Sequence, residues 1–238
     1  MVNTIVTRRS FIQRASGLLV PASVLSMARI VVAQQTLLQG RKAVRFPSAS
    51  GGISCSGPGT ALANDNFNRT ETPMSGSGWA TGSGDNAFNL NGTAAVPSDI
   101  NSDCCVYYTG PTFTNDQWSQ VKATNTGTGG GSGIGVVVRH AGSARTYYRL
   151  TIDGAGNIDL GKLVAGSYTG LTTRSVTYVA GKILGLSVSG TTIKIWYDLV
   201  QQGANVTDTS ISTGSPGLLY SSTLTSSSGD DWCAGSIP

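Results

Sequence analysis

The sequence predicts an all-β chain, a sandwich of two antiparallel sheets, on three observations. The first is a period of two within residues 133–197. Val136 and Val138 alternate with Val137 and Arg139; Tyr148, Leu150 and Ile152 alternate with Arg149 and Thr151. Leu184, Leu186 and Val188 alternate with Gly185 and Ser187, and Ile193, Ile195 and Tyr197 with Lys194 and Trp196. Successive side chains leave a strand on opposite sides, so such runs are strands with one buried face. The second observation is the joints AGSAR, DGAGN and SGTT, which put Gly and Asn where tight hairpins need positive φ. The third is composition, since 32 glycines and a charged content of only 12% suit turn-rich sheets better than helices. Residues 133–197 are therefore expected to form a meander with a wet and a dry side and one short polar break. A length of 238 residues with 39% hydrophobic content supports one core.

Charge is unevenly placed. Seven of the sixteen basic residues and none of the twelve acids fall in residues 1–45. The isoelectric point near 9.0 thus belongs to that segment. The body beyond it is neutral to slightly acidic, which removes the usual argument from high isoelectric point to nucleic acid.

In chain order, residues 1–33 read as an address. Thr7-Arg8-Arg9-Ser10-Phe11-Ile12 precedes an uncharged apolar run over residues 17–28, too short to span a bilayer. The pattern resembles a twin-arginine export signal, with small-residue cleavage points ending at Ala28 or Ala33. The plain alternative is an unprocessed irregular or helical arm. Nothing else in the sequence is long and apolar enough to span a bilayer, so no membrane partner is expected once the signal is removed. Residues 34–63 mix a small basic cluster (Arg41, Lys42, Arg45) with Gly, Ser and Pro and repeat at neither helix nor strand period, as a linker does.

The sandwich domain is expected over residues 64–238. It opens with Asp65-Asn66-Phe67-Asn68-Arg69 and Gly78-Trp79. It continues through GVVVR (135–139), YYRL (147–150), NIDLGKLVAG (157–166) and residues 181–196, and closes on TGSPGL (213–218) and Asp230-Asp231-Trp232. Over about residues 64–234 this resembles the concanavalin A-like, or laminin G-like, jelly-roll domains of bacteria and their phages. Those motifs are structural rather than catalytic. The resemblance implies that the first and last strands pair, which brings Asp65 to the edge that carries Asp230 and Asp231. Family members sometimes hold a structural calcium among such oxygens, and calcium takes six to eight oxygen ligands; otherwise these carboxylates cap turns. The sequence departs from the family after the Ile-x-Ile strand, where DLVQQG (198–203) suggests a longer loop in place of a tight turn.

Four cysteines, Cys55, Cys104, Cys105 and Cys233, allow three pairings in an exported chain. Adjacent Cys104 and Cys105 do not easily bond each other, which favours bridges outward to Cys55 and Cys233; free buried thiols are the alternative. With His140 as the sole histidine and no CxxC spacing, a zinc site is not expected.

Catalysis is poorly provided for. Glycoside hydrolysis needs two opposed carboxylates. The glucanases of this fold carry ExDxxE, whereas Glu71 is the only glutamate here. Asp153 and Asp159 sit in or beside a hairpin turn, where backbone geometry favours Asp. No GxSxG surrounds a serine to work with His140, and no phosphate-binding glycine motif precedes a helix. A non-catalytic carbohydrate-binding role fits better, because exposed aromatics stack on sugar faces while Arg, Asn and Asp read hydroxyls. The candidates for a polysaccharide or surface glycan are Trp196, Arg139, Tyr147, Arg149, Lys194 and Asp198. If Ile193, Ile195 and Tyr197 point inward, Trp196 points outward; with the faces reversed it is core. The other expectation is a structural or adhesion protein of a phage virion or extracellular assembly, whose arm docks on virion neighbours or on copies of itself. Export to the periplasm or beyond is the location the first reading predicts, the virion that of the second.

Overall fold

Where the alternation is strict, the chain is extended. In the computed structural model, which describes residues 53–127, 133–221 and 227–238, every regular element of those residues is a strand. The twin-arginine motif, the apolar run and the basic cluster lie outside the described residues. In order the strands are β1 (Thr60–Asp65), β2 (Thr70–Glu71), β3 (Trp79–Thr81), β4 (Phe88–Asn91), β5 (Ala95–Pro97) and β6 (Cys104–Tyr108). There follow β7 (Gln117–Asn125), β8 (Ile134–His140), β9 (Tyr147–Ile152), β10 (Asn157–Val164), β11 (Ser167–Ser175) and β12 (Lys182–Ser189). The last are β13 (Thr192–Tyr197), β14 (Val200–Gln201), β15 (Val206–Thr207), β16 (Ser215–Tyr220) and β17 (Ser228–Ser236).

These form a two-sheet antiparallel jelly-roll sandwich. Sheet I runs β14-β13-β12-β7-β17-β5-β4-β2, with β1 on β17 and β15 on β13; sheet II runs β11-β10-β9-β8-β16-β6-β3. Ile134, Val136, Val138, Leu150, Leu186 and Ile195 face one another between the sheets, none more than 2% exposed. Each such side chain stabilises the fold by roughly 1.5–3 kcal/mol relative to exposure.

The hairpin joints behave as the composition dictates. Gly142, Gly156 and Gly190 all take positive φ, at 80°, 84° and 56°. Four expectations are corrected. The stretch 133–197 is not one meander, because β8 to β11 lie in sheet II while β12 and β13 cross to sheet I, where β12 pairs with β7. The polar break contains β11, an edge strand whose mostly exposed Ser, Thr and Gly leave no apolar period to read. β8 and β9 are buried on both faces, since Val137, Tyr147, Cys105, Leu163 and Leu219 build a second apolar cluster behind sheet II. Finally, Tyr197 pairs with Val200, so the expected longer loop at 198–203 is a two-residue turn with Asp198 and Leu199 at φ 49° and 66°.

The first and last strands pair, with Asp65 opposite Trp232. β1 begins at Thr60, inside the stretch read as linker, and Cys55 ahead of it is bridged to Cys233. Cys104 and Cys105 are free and buried, so the outward bridges expected of them do not form. Asp65 explains the opening motif. Its Oδ1 accepts from the Phe67 N–H at 2.9 Å and Arg69 Nη1 at 2.7 Å, and its Oδ2 from Trp79 Nε1 at 2.8 Å. The Trp79 ring then packs 4.5 Å from Trp232, tying the first strands to the last.

Between the sheets, Asp208 accepts from Lys162 Nζ at 2.5 Å, the Tyr148 hydroxyl at 2.7 Å and the Ser210 N–H at 2.9 Å. Burial alone pushes its carboxyl up; Lys162, Ser210 and Tyr148 outweigh that and hold it well below its ordinary 3.8. A depressed folded value stabilises above the unfolded value and is lost as pH falls through the folded one. Unfolding titrations between about pH 4 and pH 2 are therefore expected to show a steeper loss of stability for the wild type than for Asp208→Asn. Equal slopes would remove Asp208 from the acid response.

Candidate functional site

Directly opposite residues in an antiparallel ladder share a face. Trp196 lies opposite Gly185, Gly185 opposite Gln120, and Gln120 opposite Cys233. The next row on the same outer face of sheet I holds Lys194, Ser187, Trp118 and Gly235. Ile193, Ile195 and Tyr197 fill the core, so Trp196 turns outward and stays partly exposed. Its Nε1–H donates to Ser187 Oγ at 3.0 Å, which fixes the indole along β12.

A hollow opens beside it. Gly185 supplies no side chain, and a Cβ there would stand 3.4 Å from Trp196 Cβ and 3.6 Å from Gln120 Cβ, in ordinary contact. The resulting cavity measures about 100 Å³ and is lined by Gly57, Pro58, Gln120, Ile183, Trp196 and Leu199, among others. One wall is residues 56–58, held down by the Cys55–Cys233 bridge. Gly57 lies flat on Trp118, where an added Cβ would fall 2.3 Å from the ring. The opposite lip is Leu199, 48% exposed at the tip of the left-handed turn.

The six sequence candidates do not converge. Trp196 and Lys194 share the outer face of sheet I, while Asp198 sits in the turn after β13 at φ 49° and pairs with Lys182 at 2.7 Å. Tyr147 and Arg149 lie behind sheet II, buried in or beside its second cluster. Arg139 is buried and engaged with the backbone. It sits at φ 55°, 3% exposed, and its guanidinium donates to the carbonyls of Asn115, Ile211 and Gly190, each at 2.8 Å. Those three bonds, with Asp116 at 3.5 Å, clamp three loops. Sequence reasoning missed Gln120, Leu199 and the 56–58 wall. Gly185 had a signal, since a lone Gly inside a strand run often marks a close approach.

Behind sheet II, His140 is stacked between Tyr107 and Tyr147, with ring centres 4.6 and 4.8 Å away. Asp85, Cys105 and His140 bring one ligand atom each within 4.8 Å of one another. That trio does not suit a metal. Nδ1 of His140 accepts the Gly142 N–H at 2.9 Å, so Nε2 carries the hydrogen and faces Asp85 at 3.5 Å. Arg145 Nε already donates to Asp85 at 2.7 Å, and burial pushes the Cys105 thiol well up, away from the thiolate a metal needs. The same constraint makes Cys105 a poor nucleophile.

The calcium expected at Asp65, Asp230 and Asp231 also finds a poor donor set. Asp65 is committed to three N–H donors, and Asp231 pairs with Lys122 at 3.1 Å. Burial, with the charges of Asp231 and Asp65, raises the Asp230 carboxyl above its ordinary value. Asp230 Oδ1 is buried without a hydrogen-bond partner among the described residues, but with Asp65 and Asp231 engaged these three side chains alone fall short of the six oxygens calcium takes.

No protein-family model matches the sequence, and no curated protein does. Solved structures share the fold. The carbohydrate binding module CBM66 of Bacillus subtilis superposes with a TM-score of 0.53 at 17% identity, over 67% of this chain and 96% of that one. The VIP36 exoplasmic/lumenal domain, bound to Ca2+ and mannose, gives 0.51 at 14%, over 74% and 92%. The GH43 protein BlXynB of Bacillus licheniformis gives 0.51 at 12%, over 73% of this chain but 39% of that one. At such identities the likeness is one of fold.

Proposed function

We propose that the chain is a non-catalytic carbohydrate-binding module of the exported kind, which holds a polysaccharide or surface glycan in the groove on sheet I. The observation that carries this is Trp196, an indole locked by Ser187 beside the hollow at Gly185. A fixed aromatic plane next to a concave, mostly apolar floor is what stacks a sugar ring. The solved structures of like fold include two titled as binding carbohydrate, CBM66 and mannose-bound VIP36. Against catalysis, Glu71 accepts from Arg69 Nε and from the Ser75 and Gly76 N–H groups, which leaves it no reach toward a substrate. The Cys55–Cys233 bridge favours an oxidising compartment. Residues 1–33 then serve as the export leader, and a mature N-terminus within residues 30–35 by intact mass is the matching result.

The test is a polysaccharide and glycan array read with wild type and Trp196→Ala. Loss of the stacking plane is expected to weaken binding by about 2 kcal/mol, roughly thirtyfold. Binding indifferent to Trp196→Ala would move the site away from the groove, and no binding to any glycan would leave the chain a structural or adhesion module instead.

A further inference from the structure

We infer that the groove receives a single uncharged sugar unit and that the Gln120 carboxamide reads its hydroxyls; this rests on the groove being the binding site. Three observations converge on it. No lining side chain carries a charge, and Lys194 in the next row does not line the groove, so a carboxylate or sulfate entering it would lose water without a counter-ion in the lining. Gln120, 4% exposed, lies on the groove floor opposite Gly185. The N–H donors and carbonyl acceptor of its carboxamide together match two neighbouring hydroxyls. The cavity of about 100 Å³ accommodates one ring set partly into it rather than a run of several.

Leu199 completes the arrangement. Leucine at φ 66° is an unfavourable residue for a two-residue turn, where Asn or Gly is at ease. The strain holds an apolar side chain at the lip, on the same cavity as Trp196. Between them they cover the C–H surface of a ring while its hydroxyls reach Gln120.

Calorimetric titration with methyl glycosides tests this, using glucoside, galactoside, mannoside and xyloside together with the matched glucuronide, against wild type, Gln120→Leu, Trp196→Ala and Gly185→Val. The expected pattern is a preferred neutral glycoside, with its uronic counterpart at least about tenfold weaker. Gln120→Leu lowers affinity for the preferred sugar by about tenfold and flattens the ratio between epimers, with the thermal midpoint confirming a folded protein. Should that variant fail to fold, Gln120→Glu has the same shape and is expected to lose the preferred sugar likewise. A glucuronide bound as tightly as its neutral partner, or epimer ratios unchanged in both Gln120 variants, overturns the inference while the module reading survives on Trp196→Ala. If Trp196→Ala and Gly185→Val both leave binding intact, the groove is not the site and both readings fall.

Discussion

Trp232→Ala is expected to destabilise the fold by about 4 kcal/mol, within the range for removing a large buried aromatic. The residue is fully buried on β17 at the seam where the chain closes. Its ring centre lies 4.5 Å from Trp79 and 5.3 Å from Tyr108, so truncation opens a void between three elements at once. Its Nε1–H donates to Ser119 Oγ at 2.9 Å, and that hydroxyl in turn bonds the Gly217 carbonyl across to sheet II at 3.0 Å. Because Ser119 keeps Gly217, the loss is mostly one of packing. Trp232→Phe should therefore recover more than half of the deficit, whereas a polar bond dominating the site would leave Phe and Ala alike. Urea unfolding with an unchanged slope is the measurement. A loss below about 1 kcal/mol would mean that the seam collapses around the gap and that the paired termini are not a keystone.

The sheets were legible because most of their strands have one face toward the core. β12 and β13 alternate as their sequences do, and their apolar sets, Leu184, Leu186 and Val188 with Ile193, Ile195 and Tyr197, are in the core. β11 escaped notice because an exposed edge imposes no period. The second cluster behind sheet II escaped for the opposite reason, since a strand buried on both sides is continuous in apolar residues and Val136-Val137-Val138 permits either reading. Arg139 misled through backbone geometry. At φ 55° the chain turns over, so parity no longer predicts its direction, and His140 takes the outer face beside Tyr147. The site was half legible. Parity set Trp196 on the face opposite Ile193, Ile195 and Tyr197 without saying which face was wet, and the hollow beside it depends on Gly185 and Gln120 lying opposite each other across two strands, since register is a tertiary property that no local spacing encodes.

Reduction of the Cys55–Cys233 bridge should cost about as much as the loss of Trp232 and should also dismantle one wall of the groove. The bridged residues are 178 apart in sequence, so the unfolded chain regains the freedom of a very long loop. The chain-entropy account sets an upper bound of about 5 kcal/mol for such a loop, and on the order of 2–4 kcal/mol is the usual yield. For a domain of this size that amounts to a fall in Tm of roughly 10 °C. The local effect follows from Gly57. The segment at 56–58 can lie on Trp118 only because position 57 has no side chain, and its anchor is the sulfur next door at Cys55. Once that anchor is cut, Trp118, now 1% exposed, meets water and its emission shifts to the red, while β1 stays paired with β17. Cys104 and Cys105 are expected to stay silent to thiol reagents in the folded oxidised protein and to react as two thiols on unfolding. Glycan affinity should drop in the reduced protein and in Cys55→Ser alike. A reduced form with the same Tm and the same Trp118 emission would break the link between the bridge and the groove.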